Sequence, residues 1–250
     1  MWLEAGLTRV ADEFWQLAGM PGPFPRDLAA VASLALPVVT RNVPRLTLAD
    51  VRLWLQARGI SHPLPAHDRR LRGCLLAYSG QAFILVDGSD PERERRFTVA
   101  HELAHFLVDY REPRLRAIAM LGGEIAEVLD GIRPPTHTER LHSILSGAPV
   151  GLHLDIFERT PGGAYTTPAT LHAEERADRL ALELLAPADN VWADFQSIAE
   201  ERDAEYDWAH KHLAQLLYDS YQLPEEQSRT YATWLLRKAG RCHGFSEWLA

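Results

Sequence analysis

The run His101-Glu102-Leu103-Ala104-His105 constrains this chain more than any other feature. Two imidazoles four positions apart stand on one face only if the backbone is helical, and from that face they can grip a single metal ion. The carboxylate that such a metal needs lies between them. Zinc held by neutral imidazoles lowers the pKa of a bound water to about 7, and Glu102 is placed to take that water's proton as it attacks a carbonyl. The chemistry indicated is that of a metallopeptidase.

The residues upstream write the helix the motif requires. Asp90 suits the N-cap, Pro91 the first helical position, and Glu92 and Glu94 the first turn, where carboxylates favour the positive end of the helix dipole. The expected helix runs from about 91 to 109. Phe97, Ala100, Ala104, Phe106, Leu107 and Val108 give it a broad apolar surface, so it is expected to pack in the core.

A catalytic zinc site takes three protein ligands and keeps a fourth position for water or substrate. Candidates for the third ligand lie on a second helix predicted up to Pro187, where Ala177, Leu180, Ala181, Leu184 and Leu185 recur at helical spacing. Glu174 and Asp178 are four apart on it and face the same way. That arrangement suits one carboxylate as ligand and the other as acceptor for the N–H of a ligand histidine. Glu175 is the alternative ligand, one position round the helix.

Together these blocks resemble the ImmA/IrrE family of bacterial HExxH zinc metallopeptidases. The resemblance rests on Gly73 to Leu76, Ala82 to Asp87, Arg95 to Phe106 and the Glu174 to Pro187 helix, in that order along the chain. It implies that a small hairpin precedes the metal helix, that His101, His105 and Glu174 bind Zn2+, and that Glu102 is the general base. Asp178 stands where the family usually has Asn, Leu180 where it has Phe and Ala186 where it has Met, changes that leave the metal site intact. The stretch between His105 and Glu174 is longer than in compact members and implies an insertion beside the site.

The insertion, 111–170, has pieces of its own. Helical periodicity runs over 116–130 and stops at Gly131 and the Pro134-Pro135 pair, and a short helix follows Thr138. Residues 150–157 alternate as a half-buried strand does, and Pro161-Gly162-Gly163 turns the chain back. This strand is placed to edge the substrate cleft, where a peptide could add to the sheet. His142, His153 and Tyr165 are candidate transition-state donors.

Two cysteines, Cys74 and Cys242, make neither a disulfide framework nor a zinc ribbon, and a reducing, cytoplasmic compartment is expected. The apolar run over 28–39 is too short to span a bilayer, contains Pro37 and lacks the basic flank of a signal peptide, so it is read as buried helix. Helices are also expected over 8–17 and 47–59. Arg69, Arg70 and Arg72 read as a solvated face. The net charge of −8 argues against a grip on nucleic acid, which depends on neutralised phosphates. Residues 208–236 read as helix, turn, helix, but the second helix opens with Glu225 and Glu226, which favours packing or protein docking over DNA.

The sequence therefore predicts an α+β, zincin-like catalytic domain over 1–187, with a small sheet beside the HExxH helix and helices elsewhere. Within it fall N-terminal helices over 1–68, the hairpin and metal helix over 69–110, the insertion over 111–170 and the Glu-ligand helix over 171–187. A C-terminal helical segment, helix-turn-helix-like, follows over 188–250. The expected activity is zinc-dependent endopeptidase, with Asp178 orienting a ligand imidazole. The resemblance implies a regulatory protease that cleaves a helix-turn-helix transcriptional repressor, with no direct nucleic-acid or membrane partner. The competing reading is a zinc-containing regulator that binds a repressor or other partner without cutting it. Glu102 weighs against that reading, because a structural site closes its fourth position and needs no base.

Overall fold

A computed structural model describes residues 4–19, 22–140, 147–159, 167–198 and 205–241. Four strands form one mixed sheet in the order β1-β3-β2-β4: β1 is Val38–Val43, β2 Leu71–Tyr78, β3 Gln81–Asp87 and β4 His153–Glu158. The β2-β3 hairpin is antiparallel, β1 runs parallel to β3, and β4 runs antiparallel to β2 on the outer edge. The expected hairpin is thus the centre of a larger sheet.

Helices α1 (Ala5–Ala18) and α2 (Leu28–Ala35) precede β1, and α3 (Leu48–Gln56) follows it. The apolar run over 28–39 is therefore not one helix. Pro37 cannot continue it, and the β-branched Val38-Val39-Thr40 begin β1 instead. Helix α3 opens on a reciprocal capping box between Thr47 and Asp50.

Most residues of β2 and β3 are buried, because both faces of the hairpin are covered. On one side Leu46, Leu48, Val51 and Leu55 pack under Leu71, Cys74, Leu76 and Leu85. On the other, Leu75, Ile84 and Val86 belong to the main core with the metal helix α4 (Glu92–His105). Gly73 allows this close approach. A Cβ there would lie 2.5 Å from Thr98 Cγ2 and 2.8 Å from Glu102 Oε1, well inside contact distance.

Helix α4 does not begin as its sequence suggests. Pro91 occupies the cap position and makes no side-chain cap hydrogen bond, while the Asp90 carboxylate sits 2.7 Å from the Arg159 guanidinium. Nor does the helix stop at Asp109. It passes into a π-helical turn, Phe106–Arg111, and then into α5 (Glu112–Leu121), so one helical rod spans 92–121. The helix expected over 116–130 is split. Gly122, at φ +85°, takes a conformation other residues avoid, and a short α6 (Ile125–Leu129) restarts beyond it.

The strand expected over 150–157 is β4, three residues later at its start. Residues 137–140 are helical as expected after the proline pair; the rest of that segment, with His142, and the Pro161–Gly163 turn, with Tyr165, lie outside the described residues. Helix α7 (Pro168–Leu185) carries Glu174 and packs along α4, capped by Thr167, whose hydroxyl accepts from Thr170 N–H. Helices α8 (Ala188–Ile198), α9 (Tyr206–Asp219) and α10 (Glu225–Lys238) follow, and Leu213, Leu217, Leu235 and Leu236 join the same core as α4 and α7.

The basic cluster at the start of β2 is partly solvated, and each of its side chains is also paired. Arg69 pairs with Glu158, Arg70 with Asp87 at 2.7 Å and Arg72 with Glu94 at 2.9 Å. These pairs tie the start of β2 to β4, β3 and α4. No helix among the described residues is long and apolar enough to cross a membrane.

Candidate metal centre

His101 and His105 lie on the face of α4 that meets α7, both 2% exposed. Their Nε2 atoms stand 3.2 Å apart, and Glu174 approaches from α7 with Oε2 at 3.4 Å from His101 Nε2 and Oε1 at 3.7 Å from His105 Nε2. With zinc bonds of about 2.0–2.1 Å, a tetrahedral site has ligand-to-ligand edges of about 3.3–3.4 Å, so this spacing fits such an ion. Burying three such groups together without an ion would leave their lone pairs in mutual conflict. Glu175 points elsewhere: its carboxylate is about half exposed, near Arg179 at 4.0 Å.

Each imidazole is fixed from behind. Asp178 Oδ1 lies 2.9 Å from His101 Nδ1, one turn beyond Glu174 on α7. Asp109 Oδ2 lies 2.7 Å from His105 Nδ1, and its other oxygen receives the Arg176 guanidinium at 2.5 Å. A carboxylate on Nδ1 holds the tautomer that leaves the Nε2 lone pair free for a metal. Asp109 was open to prediction, since it stands four positions after His105 on a continuing helix. Arg176 was not, because only the packing of α7 on α4 brings it there.

The edge strand covers the centre. His153, Asp155 and Phe157 alternate onto one face of β4. Phe157 stacks on the His101 ring at 4.2 Å and 14°, and Asp155 Oδ2 is 3.5 Å from His105 Nε2. His153 packs beside Tyr110, its rings' centroids 6.1 Å apart; burial lowers its pKa, and its buried Nε2 has no hydrogen-bond partner among the described residues. Sequence reasoning named His153 but passed over Asp155 and Phe157, whose proximity follows from the pairing of Leu75 with Asp155 across β2 and β4.

Glu102 is fully buried, and neither of its carboxylate oxygens has a hydrogen-bond partner among the described residues. Burial, with the charge of Asp155 adding to it, pushes its pKa up to about 8. Burial opposes charge on His101 as well, but hydrogen bonds to Asp178 and Glu174 outweigh it and raise that imidazole to about 9. The same histidines overcome burial at Glu174 and hold its carboxyl at about 2.

Residues 60–123 match the family model described as the IrrE N-terminal-like domain, Peptidase_M78. This part of the chain is thus similar to the ImmA/IrrE metallopeptidase family. Searches of the curated proteins and of the solved structures each found no match. The ImmA/IrrE match contains the hairpin, His101, Glu102 and His105 but ends before Glu174, which the structure brings to the two histidines. Family and triad together imply a metallopeptidase.

Proposed function

We propose that the chain is a zinc-dependent endopeptidase and that its substrate is a helix-turn-helix transcriptional repressor. The observation that carries the hydrolytic reading is Glu102: a fully buried carboxylate without a partner, between two histidines of a metal triad. An unpaired buried carboxylate is costly to keep, and a catalytic base is one reason to keep it. His101, His105 and Glu174 would hold the ion, with Asp178 and Asp109 orienting the imidazoles. Zinc there would supply Lewis acidity and an acidified water. Glu102 would take the proton from the attacking water and return it to the leaving amine.

The outer edge of β4, which pairs with no other strand among the described residues, supports peptide binding by strand addition, which would lay an extended segment beside Asp155 and Phe157. The repressor as substrate follows from the family resemblance, and the net charge of −8 is in keeping with a protein partner rather than DNA. The test is a Glu102→Gln variant, isosteric and still able to leave the three ligands in place. It should bind one zinc per chain while cleavage of a sequence-diverse peptide library, and of a repressor encoded beside this gene, falls at least 100-fold. Undiminished cleavage would overturn the hydrolytic reading, and a repressor bound but never cut by the unsubstituted chain would favour the non-cleaving regulator.

A further inference from the structure

A cleft of about 340 Å3 opens between α4, α7 and α10, next to the metal centre. Phe97, Leu182, Tyr231 and Trp234 give it an apolar and aromatic lining. It adjoins the metal site through Asp178, which lines the cleft and also holds His101 Nδ1. Phe97 is one turn before His101 on α4, and Leu182 two turns beyond Glu174 on α7. One to two turns is about 5–11 Å along a helix, the span of about two or three residues of extended peptide. The cleft thus lies within that span of the ligand-bearing turns, on the Nδ1 side of His101.

The polar lining is biased toward acceptors. Glu175, Asp178 and Glu226 present three carboxylates, of which Asp178 also holds His101 and Glu175 also meets Arg179, and Gln227 adds a side-chain oxygen that is buried without a hydrogen-bond partner among the described residues. Arg179 is the one cation in the lining, and it is engaged by Glu4 at 3.1 Å and Glu175 at 4.0 Å. Glu226 is exposed and has no ion-pair partner among the described residues. The Trp234 indole already accepts a cation, with Lys238 Nζ 5.6 Å from its centroid. Acceptors over an aromatic floor suit a planar, donor-only cation whose aliphatic stem can lie on Leu182 and Phe97.

We infer that this cleft is a specificity pocket for an arginine side chain of the protein substrate. The inference deepens the peptidase reading and rests on it for the word substrate, but the cleft itself can be tested without catalysis. Zinc-loaded full-length protein, labelled with 15N, is titrated with N-acetyl-arginine amide and, separately, with its neutral isostere N-acetyl-citrulline amide. The Trp234 indole N–H signal, assigned by its loss in Trp234→Phe, is followed. The arginine amide should shift it saturably, with at least fivefold tighter binding than the citrulline amide. Glu175→Gln combined with Glu226→Gln should weaken the arginine amide at least fivefold while zinc content stays at one per chain. Equal binding of the two amides, no shift of Trp234, or unchanged affinity in the double variant would each overturn the pocket. In parallel the peptide library is profiled: enrichment of arginine at one position near the cut, lost in the double variant, supports it, and cleavage without that preference overturns it. A shifted indole in a protein that cuts no peptide would leave the cation pocket standing while the peptidase reading falls.

Discussion

Asp109 lies 2.7 Å from the Nδ1 of His105, four residues before it on the same rod of helix, and is itself clamped by Arg176 two residues beyond Glu174. The pair of contacts links a ligand on α4 to the ligand-bearing stretch of α7. Their spacing is therefore not left to the two helices alone.

Loss of that link should loosen the metal before it unfolds the protein. Asp109→Ala is expected to weaken zinc binding about 10–100-fold, the usual cost of removing a carboxylate behind a ligand histidine. Arg176→Ala should give a smaller loss, partly restored by Arg176→Lys. Competition with a chromophoric chelator measures it, and unchanged zinc affinity in both alanine variants would refute the clamp.

Chelation should lower stability as well as remove the ion. A ligand that binds only the folded state at 100 times its Kd adds about 2.7 kcal/mol, so the thermal midpoint should fall on treatment with chelator and recover with zinc. His101→Ala should show no such dependence.

Gly73 should tolerate no side chain. A Cβ would enter the space of Thr98 and Glu102, and Gly73→Ala is expected to destabilise the fold by about 1–3 kcal/mol, the range for overpacking a core. Thr98→Ala in the same chain should recover part of the loss, because it removes the nearer clash. Denaturant unfolding of the two variants decides this.

Asp87 gives the stability a defined acid dependence. Burial alone would raise its pKa, but hydrogen bonds from the Ser89 side chain and backbone, with Arg70 and Arg159, hold it well below the usual carboxylate range. Since the folded value is depressed, the stabilisation is fully present above the unfolded pKa of about 4 and is lost as pH falls toward the folded value. Asp87→Asn should cost about 2–3 kcal/mol at pH 7, less than a fully buried pair because Arg70 and Arg159 are partly solvated. The gap between variant and parent should narrow below pH 4. A constant gap from pH 7 to pH 2.5 would contradict the assignment.

Sequence determined what depends on local periodicity. The four-residue repeat of His101 and His105, and again of Glu174 and Asp178, fixed a helical face for each pair before any packing was known. The hairpin before the metal helix came instead from the family resemblance of its two strands. Local pattern misled where a single residue overrode it: Pro37 turned an apolar run into helix then strand, and Gly122 cut a periodic stretch in two.

Tertiary structure decided what depends on register between distant segments. Seventy-odd residues separate His101 from Glu174, and the packing of α7 on α4 turns Glu174 rather than Glu175 to the histidines, since a helix turns about 100° per residue. The pairing of β4 with β2 brings Asp155 and Phe157 to the histidines, and a shift of one residue would turn both away. The docking of α10 likewise encloses the cleft beside Asp178. Spacing along one helix sets which groups can share a face, but contact between elements is set by the burial of their apolar surfaces, which no short window of sequence contains.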